Sequence, residues 1–293
     1  MRSWAAIGIG AFFALATAHA ADRDGSAVAP APNPWPSELV GRSATLPRGM
    51  LEIFAPLGLN LTNDRVANPV FLAPSVSYGV TDDFMVGLRH FLGLCLSGTT
   101  GGCPDVYNDV SVEATWRAWR GHGAELAVGA AVDFSPLDPF LVSFEVRTLA
   151  RWTGGPFAFV LAPSLDIGIT DRDTTAEKRL PIPFSLATYS FGWFQQMPGN
   201  REILTVPATI QIQIFPPLAA AAGAAILVPL DPPGGNPGDF YTFPVGFALL
   251  VTPDRPFDVG ASVTFANLLG AEGWPGTQRG ESRVAQLFGA FRL

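Results

Sequence analysis

Hydrophobic and polar residues alternate along most of the chain after Met50, in segments of about ten to fourteen residues. In 109–119 the apolar residues occupy the even positions, which are Val110, Val112, Ala114, Trp116 and Ala118. The same pattern recurs at 124–134, 142–147, 157–168, 205–214 and 258–265. Because successive side chains of a strand point to opposite faces, this period of two predicts an all-β fold.

The second face of these segments is rich in Gly, Ala and Ser and carries few charges, unlike the solvated face of a soluble β-sandwich. Small residues suit the confined interior of a closed barrel. The segments also match or exceed the ~9–11 residues of a tilted membrane-crossing strand, whereas ordinary strands average ~5–6. The sequence therefore predicts a closed antiparallel transmembrane β-barrel whose outer face contacts outer-membrane lipid.

Connections between the segments alternate in length. The short ones are 81–83, 121–123, 153–155, 216–217 and 252–256, and the longer ones include 60–68, 95–105, 170–179, 231–239 and 269–281. Outer-membrane barrels have short periplasmic turns, longer extracellular loops and a girdle of aromatic residues at the lipid interface. Aromatic residues of the apolar face gather beside the short turns: Tyr78, Phe84, Trp116, Trp152, Phe157 and Phe257.

Segmentation yields thirteen candidate strands, but a bacterial single-chain barrel with both termini in the periplasm has an even number. The alternation is weakest in 184–194, where Leu186 is at an even position but Phe191 and Trp193 are at odd ones. Removing this segment places every short turn on the periplasmic side. We therefore predict twelve strands, with fourteen or ten as alternatives. The stretch 171–201 is interpreted as a long extracellular excursion that folds over the mouth of the barrel.

The N-terminus has the pattern of a secretory signal, with Arg2, an apolar stretch over 4–15 and an Ala-His-Ala cleavage site at 18–20. We assign 1–20 to a signal peptide, 21–48 to a flexible Ala- and Pro-rich periplasmic leader and 49–293 to the barrel. At the other end, residues 285–293 alternate up to Leu293. This pattern resembles the terminal strand that the barrel-assembly machinery recognises, which makes that machinery an expected partner.

Cys95 and Cys103 are the two cysteines of the chain and lie eight positions apart. Export would place them in an oxidising compartment, where a loop-closing disulfide is the simplest arrangement. Metal binding by this pair together with His90 is the alternative, although the sequence offers no evident fourth ligand. We therefore predict a disulfide and no metal.

Charged residues make up 15% of the chain, against about 25% in an ordinary soluble domain. The net charge of −7 argues against nucleic acid as a partner. Charges predicted to point inward are Glu52, Asp109, Glu113, Glu125, Asp133, Glu145, Asp166 and Asp258 together with Arg89, Arg117, Arg147, Arg151 and Arg292.

Two interpretations of these inward charges remain open. Either they fill a narrow interior with ion pairs, or some of them line a polar pathway and set its selectivity. The preferred lumen-lining candidates lie on neighbouring strands and carry both signs: Glu113, Arg117, Glu125, Glu145, Arg147 and Asp166.

An enzyme is not favoured. A hydrolase needs a nucleophile, a base and an orienting group, and two histidines follow the signal, His90 in an apolar set and His122 between two turn glycines. Neither stands in the His-x-Ser-Asn pattern of the outer-membrane phospholipases. The sequence also has no phosphate-binding loop or clustered metal-ligand motif, so we expect no cofactor. An outer-membrane hydrolase remains the weakest alternative.

The run 78–88 (YGVTDDFMVGL) resembles a hairpin of proteobacterial outer-membrane transporters, including the group named for a phenol-degradation pathway. The runs 240–247 (FYTFPVGF) and 253–268 are similar to the later part of such proteins. This resemblance implies a barrel of the twelve-stranded type and the passage of small solutes, apolar or aromatic ones among them, and it assigns no binding residue. We therefore expect an outer-membrane channel for passive passage of small solutes. The alternative is a structural or plugged barrel whose loops bind a partner.

Overall fold

A computed structural model describes residues 35–62, 66–97, 103, 105–173, 177–181, 184–192, 194–232, 234–254, 256–272, 279–280 and 282–293. The predicted signal peptide and residues 21–34 lie outside this part of the chain. Two short 3-10 turns, Leu39–Gly41 and Pro237–Asp239, accompany the strands. No helix in the described residues is both long and apolar enough to cross a membrane.

The strands of the described residues, in chain order, are β1 (Leu51–Asn60), β2 (Val70–Leu72), β3 (Ser75–Gly79), β4 (Phe84–Arg89), β5 (Leu94–Ser97), β6 (Val110–Gly121), β7 (Ala124–Phe134), β8 (Val142–Gly154), β9 (Phe157–Leu161), β10 (Ser164–Gly168), β11 (Glu177–Pro181), β12 (Phe184–Leu186), β13 (Tyr189–Phe191), β14 (Phe194–Pro198), β15 (Ile203–Phe215), β16 (Leu218–Pro229), β17 (Val245–Asp254), β18 (Phe257–Phe265) and β19 (Arg283–Arg292). All pairings between them are antiparallel.

The barrel closes where β1 pairs with β19, from Glu52 opposite Arg292 to Asn60 opposite Val284. Three wall strands are interrupted: β2 continues as β3, β4 continues as β5, and β9 continues as β10 beyond Pro163, which lacks an amide donor. Counted this way, the described residues form a ring of twelve strands, and the predicted twelve-stranded barrel is confirmed.

Turn residues at the short connections explain why adjacent strands form tight hairpins. Only His122 and Gly123 separate β6 from β7, and both have positive φ, 50° and 74°. A two-residue turn with positive φ at both positions matches the right-handed twist of the flanking strands, and glycine adopts it without steric cost. We call the end of the barrel that carries these short turns the periplasmic end.

The outer face of the barrel is apolar. Large hydrophobic side chains are exposed along all its sides, among them Ile53, Val112, Ile210, Phe247 and Leu287. Beside the short turns the exposed aromatic residues include Tyr78, Trp116, Trp152, Phe157 and Phe257. Water-soluble monomers rarely expose such a continuous apolar surface, whereas a lipid-facing band with an aromatic girdle requires one.

A β-bulge in β6 changes the face on which one tryptophan lies. Arg117 pairs with Ala127, but the next pair is Trp119 with Leu126, so Ala118 is an extra residue. Simple alternation would place Trp119 inside with Arg117. One inserted residue reverses the face, and Trp119 is 50% exposed on the outer side, close to the 46% of Trp116. The bulge thereby adds a second tryptophan to the girdle.

Residues 35–48, here called the N-terminal segment, lie inside the periplasmic end of the barrel. Leu39, Arg42 and Leu46 are fully buried, although composition predicts a flexible leader over 21–48. The wall supplies partners to the segment's backbone: Arg151 Nη2 donates to the Val40 carbonyl at 2.8 Å. Gly79 makes the approach possible, because a Cβ at this position would lie 2.1 Å from the Pro47 carbonyl oxygen.

The excursion 171–201 contains two strand pairs outside the ring, β11 with β14 and β12 with β13. The second pair, Phe184–Phe191, is here called the inward hairpin. It does not simply cover the mouth, as we predicted for the excursion, but enters the lumen, where Phe184 and Phe191 are buried. Two glycines of the wall make room for it: a Cβ at Gly223 would lie 2.4 Å from the Phe184 ring, and one at Gly246 2.8 Å.

Candidate functional site

The lumen has two chemically different walls. The charged wall is the inner face of β4, β6, β7, β8 and β10, and it carries Arg89, Glu113, Arg117, Glu125, Asp133, Glu145, Arg147, Arg151 and Asp166. The small-residue wall is the inner face of β16, β17 and the middle of β18, and it carries Ala219, Ala221, Gly223, Ala225, Gly246, Ala248 and Gly260. Alternation brings each set to one face, and the barrel places the two faces opposite each other.

Ion pairs cross the inner face of the charged wall and join strands that are up to three positions apart in the ring. Arg89 on β4 contacts Glu145 at 2.7 Å, Glu113 at 3.5 Å and Asp133 at 3.7 Å. Arg147 on β8 contacts Glu113 at 3.0 Å. Charges removed from water must be paired to persist, so these contacts support the interpretation of the inward charges as a network that fills the interior.

The six lumen-lining candidates fall into three groups. Glu113, Glu145 and Arg147 border a cavity in the middle of the lumen. Arg117 and Glu125 hold the N-terminal segment instead: the Arg117 guanidinium donates to the Ser43 hydroxyl, and the Ala44 amide donates to Glu125 Oε2 at 3.0 Å. Asp166 forms an ion pair with Lys178 of β11 and accepts a hydrogen bond from the Ser143 hydroxyl at 3.0 Å.

The inward hairpin covers the small-residue wall. Phe184 packs against Gly223 and Gly246, and its ring centroid lies 5.3 Å from that of Phe191. Next to it the Tyr189 ring stacks on Phe54 of β1 at 4.7 Å. Small wall residues and large hairpin residues thus interdigitate as in an ordinary protein core.

Between the hairpin and the charged wall lies a cavity of about 150 Å³. Its charged lining residues are Arg89, Glu113, Glu145 and Arg147 of the charged wall, and the apolar side that faces them includes Phe54, Tyr189 and Phe191. Met85 and Phe91, from β4 and the residues that follow it, add apolar surface beside the charges. The Phe91 ring also supports the Arg89 guanidinium, whose carbon lies 4.8 Å from the ring centroid. A site with one apolar side and a few fixed polar groups is the usual form of a small-molecule pocket.

Several buried residues of the lumen were missed by sequence reasoning. Trp35 and Arg42 come from the predicted leader, and Tyr189 comes from the rejected strand. Arg42 and Tyr189 both hydrogen-bond to Asp258, which was predicted only as one inward acid among many, and the Trp35 ring lies against the guanidinium group of Arg42. Burial raises the pKa of the Tyr189 phenol well above its usual value, so this hydroxyl is protonated and donates to Asp258 Oδ2 at 2.8 Å.

One feature of the sequence indicates that a large apolar segment packs inside the lumen. The inner positions from Ala219 to Ala225 of β16 and their neighbours Gly246 and Ala248 of β17 are all Ala or Gly, and such a surface leaves unfilled volume unless something packs against it. Phe184 and Phe191 are among the large apolar residues of the excursion. Nothing in the periodicity indicated that Trp35 and Arg42 would enter the lumen.

The predicted disulfide is present, with Cys95 and Cys103 bonded and their Cα atoms 5.9 Å apart. The His90 ring contacts two oxygens instead of the cysteines: its Nε2 lies 2.9 Å from the Tyr107 hydroxyl and its Nδ1 contacts the Pro74 carbonyl. Within the described residues no group of three or more His, Cys, Asp or Glu side chains could hold a metal ion.

Solved structures with a similar backbone include outer-membrane channels. The chain is similar to an outer membrane channel from Pseudomonas putida F1, with a TM-score of 0.53 and 10% identity over 85% of this chain and 97% of that one. It is also similar to the NanC porin, with a TM-score of 0.50 and 10% identity over 82% of this chain and 98% of that one. The fold is that of an outer-membrane channel. No family model and no curated protein matches the chain.

Proposed function

We propose that the protein is a passive outer-membrane channel for small solutes, aromatic ones among them. The observation that carries the proposal is the cavity of about 150 Å³ inside the closed barrel, with the ion pairs of the charged wall on one side and aromatic rings on the other. A cavity of ~150 Å³ is large enough for a benzene-sized molecule. Its aromatic side favours a flat apolar solute, and its fixed charges offer partners for one polar substituent.

The test is reconstitution of the purified protein in planar bilayers and in liposomes. We expect a small ion conductance that a benzyl alcohol solution reduces, because the alcohol occupies the cavity, whereas a pentose of similar size reduces it less. Arg147→Ala should change the cation-to-anion permeability ratio, because Arg147 borders the cavity. Arg172→Ala is the matched control, since this arginine pairs with Glu202 on the extracellular side.

The second candidate function is a plugged barrel whose loops bind a partner. It is favoured by one observation, the occupation of the lumen by both the N-terminal segment and the inward hairpin. The channel would be contradicted, and this alternative supported, if the native chain showed no conductance and no liposome uptake. The same must hold for a variant in which the N-terminal segment and the inward hairpin have been released from the lumen.

A further inference from the structure

We propose that the carboxylate of Asp258 is a latch that holds the N-terminal segment and the inward hairpin in the lumen together, so that both leave as one unit when the channel opens. This inference rests on the proposed channel function and adds how the channel is closed.

Five hydrogen bonds converge on this one carboxylate. Its Oδ2 accepts from Arg42 at 2.6 Å, from Arg292 at 2.6 Å and from the Tyr189 hydroxyl at 2.8 Å. Its Oδ1 accepts from Arg42 at 2.9 Å and from the Thr252 hydroxyl at 2.6 Å. Both Asp258 and Arg42 have side chains that are 0% exposed. Charge-assisted hydrogen bonds of this kind, away from water, are the strongest that a protein makes.

Arg42 fixes the N-terminal segment from inside. Besides its two bonds to Asp258, its Nε donates to the Pro36 carbonyl at 3.0 Å and its Nη2 donates to the Thr252 hydroxyl at 2.8 Å. The Trp35 ring lies 5.9 Å from the Arg42 guanidinium and 5.3 Å from that of Arg292. The segment is thus folded back on its own arginine, and that arginine is held by the wall through Asp258.

The inward hairpin reaches the same carboxylate from the extracellular side. The Tyr189 hydroxyl contacts both Asp258 and, at 3.3 Å, Arg42 Nη1. One residue earlier, the Thr188 hydroxyl donates to Glu52 Oε1 at 2.6 Å. Two segments that enter from opposite ends of the barrel therefore meet at one acceptor, and loss of this acceptor weakens both.

Neutralising Asp258 should release Arg42 and not Arg292. Arg292 keeps a second carboxylate, because its Nε donates to Glu52 Oε2 at 2.7 Å. Arg42 has no other carboxylate partner among the described ion pairs, and the two guanidinium groups would then repel each other across the neutral residue. Since Arg292 belongs to β19 and is fixed in the wall, the N-terminal segment is the part that moves.

The experiment measures thiol accessibility in full-length protein reconstituted in liposomes. Ala44→Cys reports on the segment and Ala187→Cys on the hairpin, since these residues are 3% and 6% exposed. The native cysteines are bonded to each other, so the introduced thiol is the one that reacts with a small water-soluble maleimide. Asp258→Asn should raise both labelling rates at least ~100-fold, as expected when a buried charge pair is broken.

Glu145→Gln is the matched control. Glu145 is also a buried acid, and it pairs with Arg89 at 2.7 Å, but both residues belong to the wall. Both probes should stay protected in this variant. Labelling of both probes at equal rates in Glu145→Gln and Asp258→Asn would overturn the latch, because it would show general loosening of the barrel. Protection of either probe in Asp258→Asn would overturn it as well.

Tyr189→Phe tests the coupling with a milder change. It removes one hydroxyl and keeps the ring stacked on Phe54, so the barrel folds as before. The latch predicts faster labelling of Ala44→Cys, which lies in the N-terminal segment and not in the hairpin that carries Tyr189. Faster labelling of Ala187→Cys alone would contradict the latch. Conductance is recorded on the Asp258→Asn protein: both probes exposed without any conductance would contradict the channel function and leave the latch intact.

Discussion

On the charged wall, Arg89 contacts acids from three different strands, whereas on the small-residue wall Gly223 and Gly246 leave a space that the Phe184 ring fills. The first wall satisfies its own polar groups, and an apolar hairpin placed on it would strip water from charges without replacing the hydrogen bonds. The second wall has nothing to pair and gains from being covered. The two walls therefore decide on which side of the lumen a cavity can remain.

The largest effect is expected from removing the central charge of the charged wall. Arg89→Met leaves Glu113, Asp133 and Glu145 without their shared cation, and breaking a buried pair in this way costs ~3–5 kcal/mol of folding free energy. The measurement is urea unfolding in lipid vesicles. The double variant Arg89→Met/Glu145→Gln should recover part of the loss, and a loss below ~1 kcal/mol for the single variant would show that the wall does not depend on these pairs.

A smaller effect is expected on the opposite wall. Gly223→Ala puts a methyl group 2.4 Å from the Phe184 ring, and overpacking of this kind costs ~1–3 kcal/mol. Gly289→Ala is the matched control, because a Cβ there lies 3.7 Å from the nearest atom, the Asp258 carbonyl oxygen. The same unfolding assay compares the two. Equal stability of both variants would mean that the hairpin does not pack on the small-residue wall.

Conductance measurements should distinguish the functions of the charged wall and the small-residue wall. Arg147→Ala removes a positive charge beside the cavity and should shift the permeability ratio towards cations by about fivefold, or ~1 kcal/mol for a solvated charge at close range. Phe184→Ala, on the other side, should raise the conductance and leave the ratio unchanged. Reversal potentials in a salt gradient measure the ratio, and an equal shift in both variants would contradict the division of roles.

The smallest effect is expected for an ion pair at the rim. Arg120 is 61% exposed at its side chain and lies 3.4 Å from Glu125. Arg120→Ala should cost less than ~1 kcal/mol in the unfolding assay, because water and salt screen exposed charges. High salt should abolish the difference from the native chain. A loss as large as that of Arg89→Met would show that burial does not distinguish the two arginines.

The lipid-facing surface of the barrel could be predicted from the sequence. Lipid requires an apolar residue at every second position and aromatic residues near the interface, so the faces of β7 and β18 could be assigned by counting. The face of Trp119 could not be assigned in this way, because alternation cannot reveal the bulge at Ala118. The disulfide of Cys95 and Cys103 followed from spacing and export alone.

The contacts of the side chains that face the lumen could be predicted only in part. Alternation placed Glu113, Glu145 and Arg147 on the inner face of their strands, where they border the cavity. Arg117 and Glu125 face inward too and pair with nearby charges, among them Asp83 and Arg120. They also bond to Ser43 and Ala44 of the N-terminal segment, across 74 and 81 positions of the chain. Contacts at such separation depend on how the closed barrel brings distant segments together, and no local pattern encodes them.

The sequence by itself determined that this protein is a twelve-stranded barrel with an apolar outside and inward charges, because lipid and strand geometry impose a period of two that any reader can count. The tertiary structure alone decided what fills the barrel. Arg42, Tyr189 and Asp258 are far apart in the chain, and they meet because ring closure creates an interior in which buried charges must find partners and small-residue surfaces must be covered.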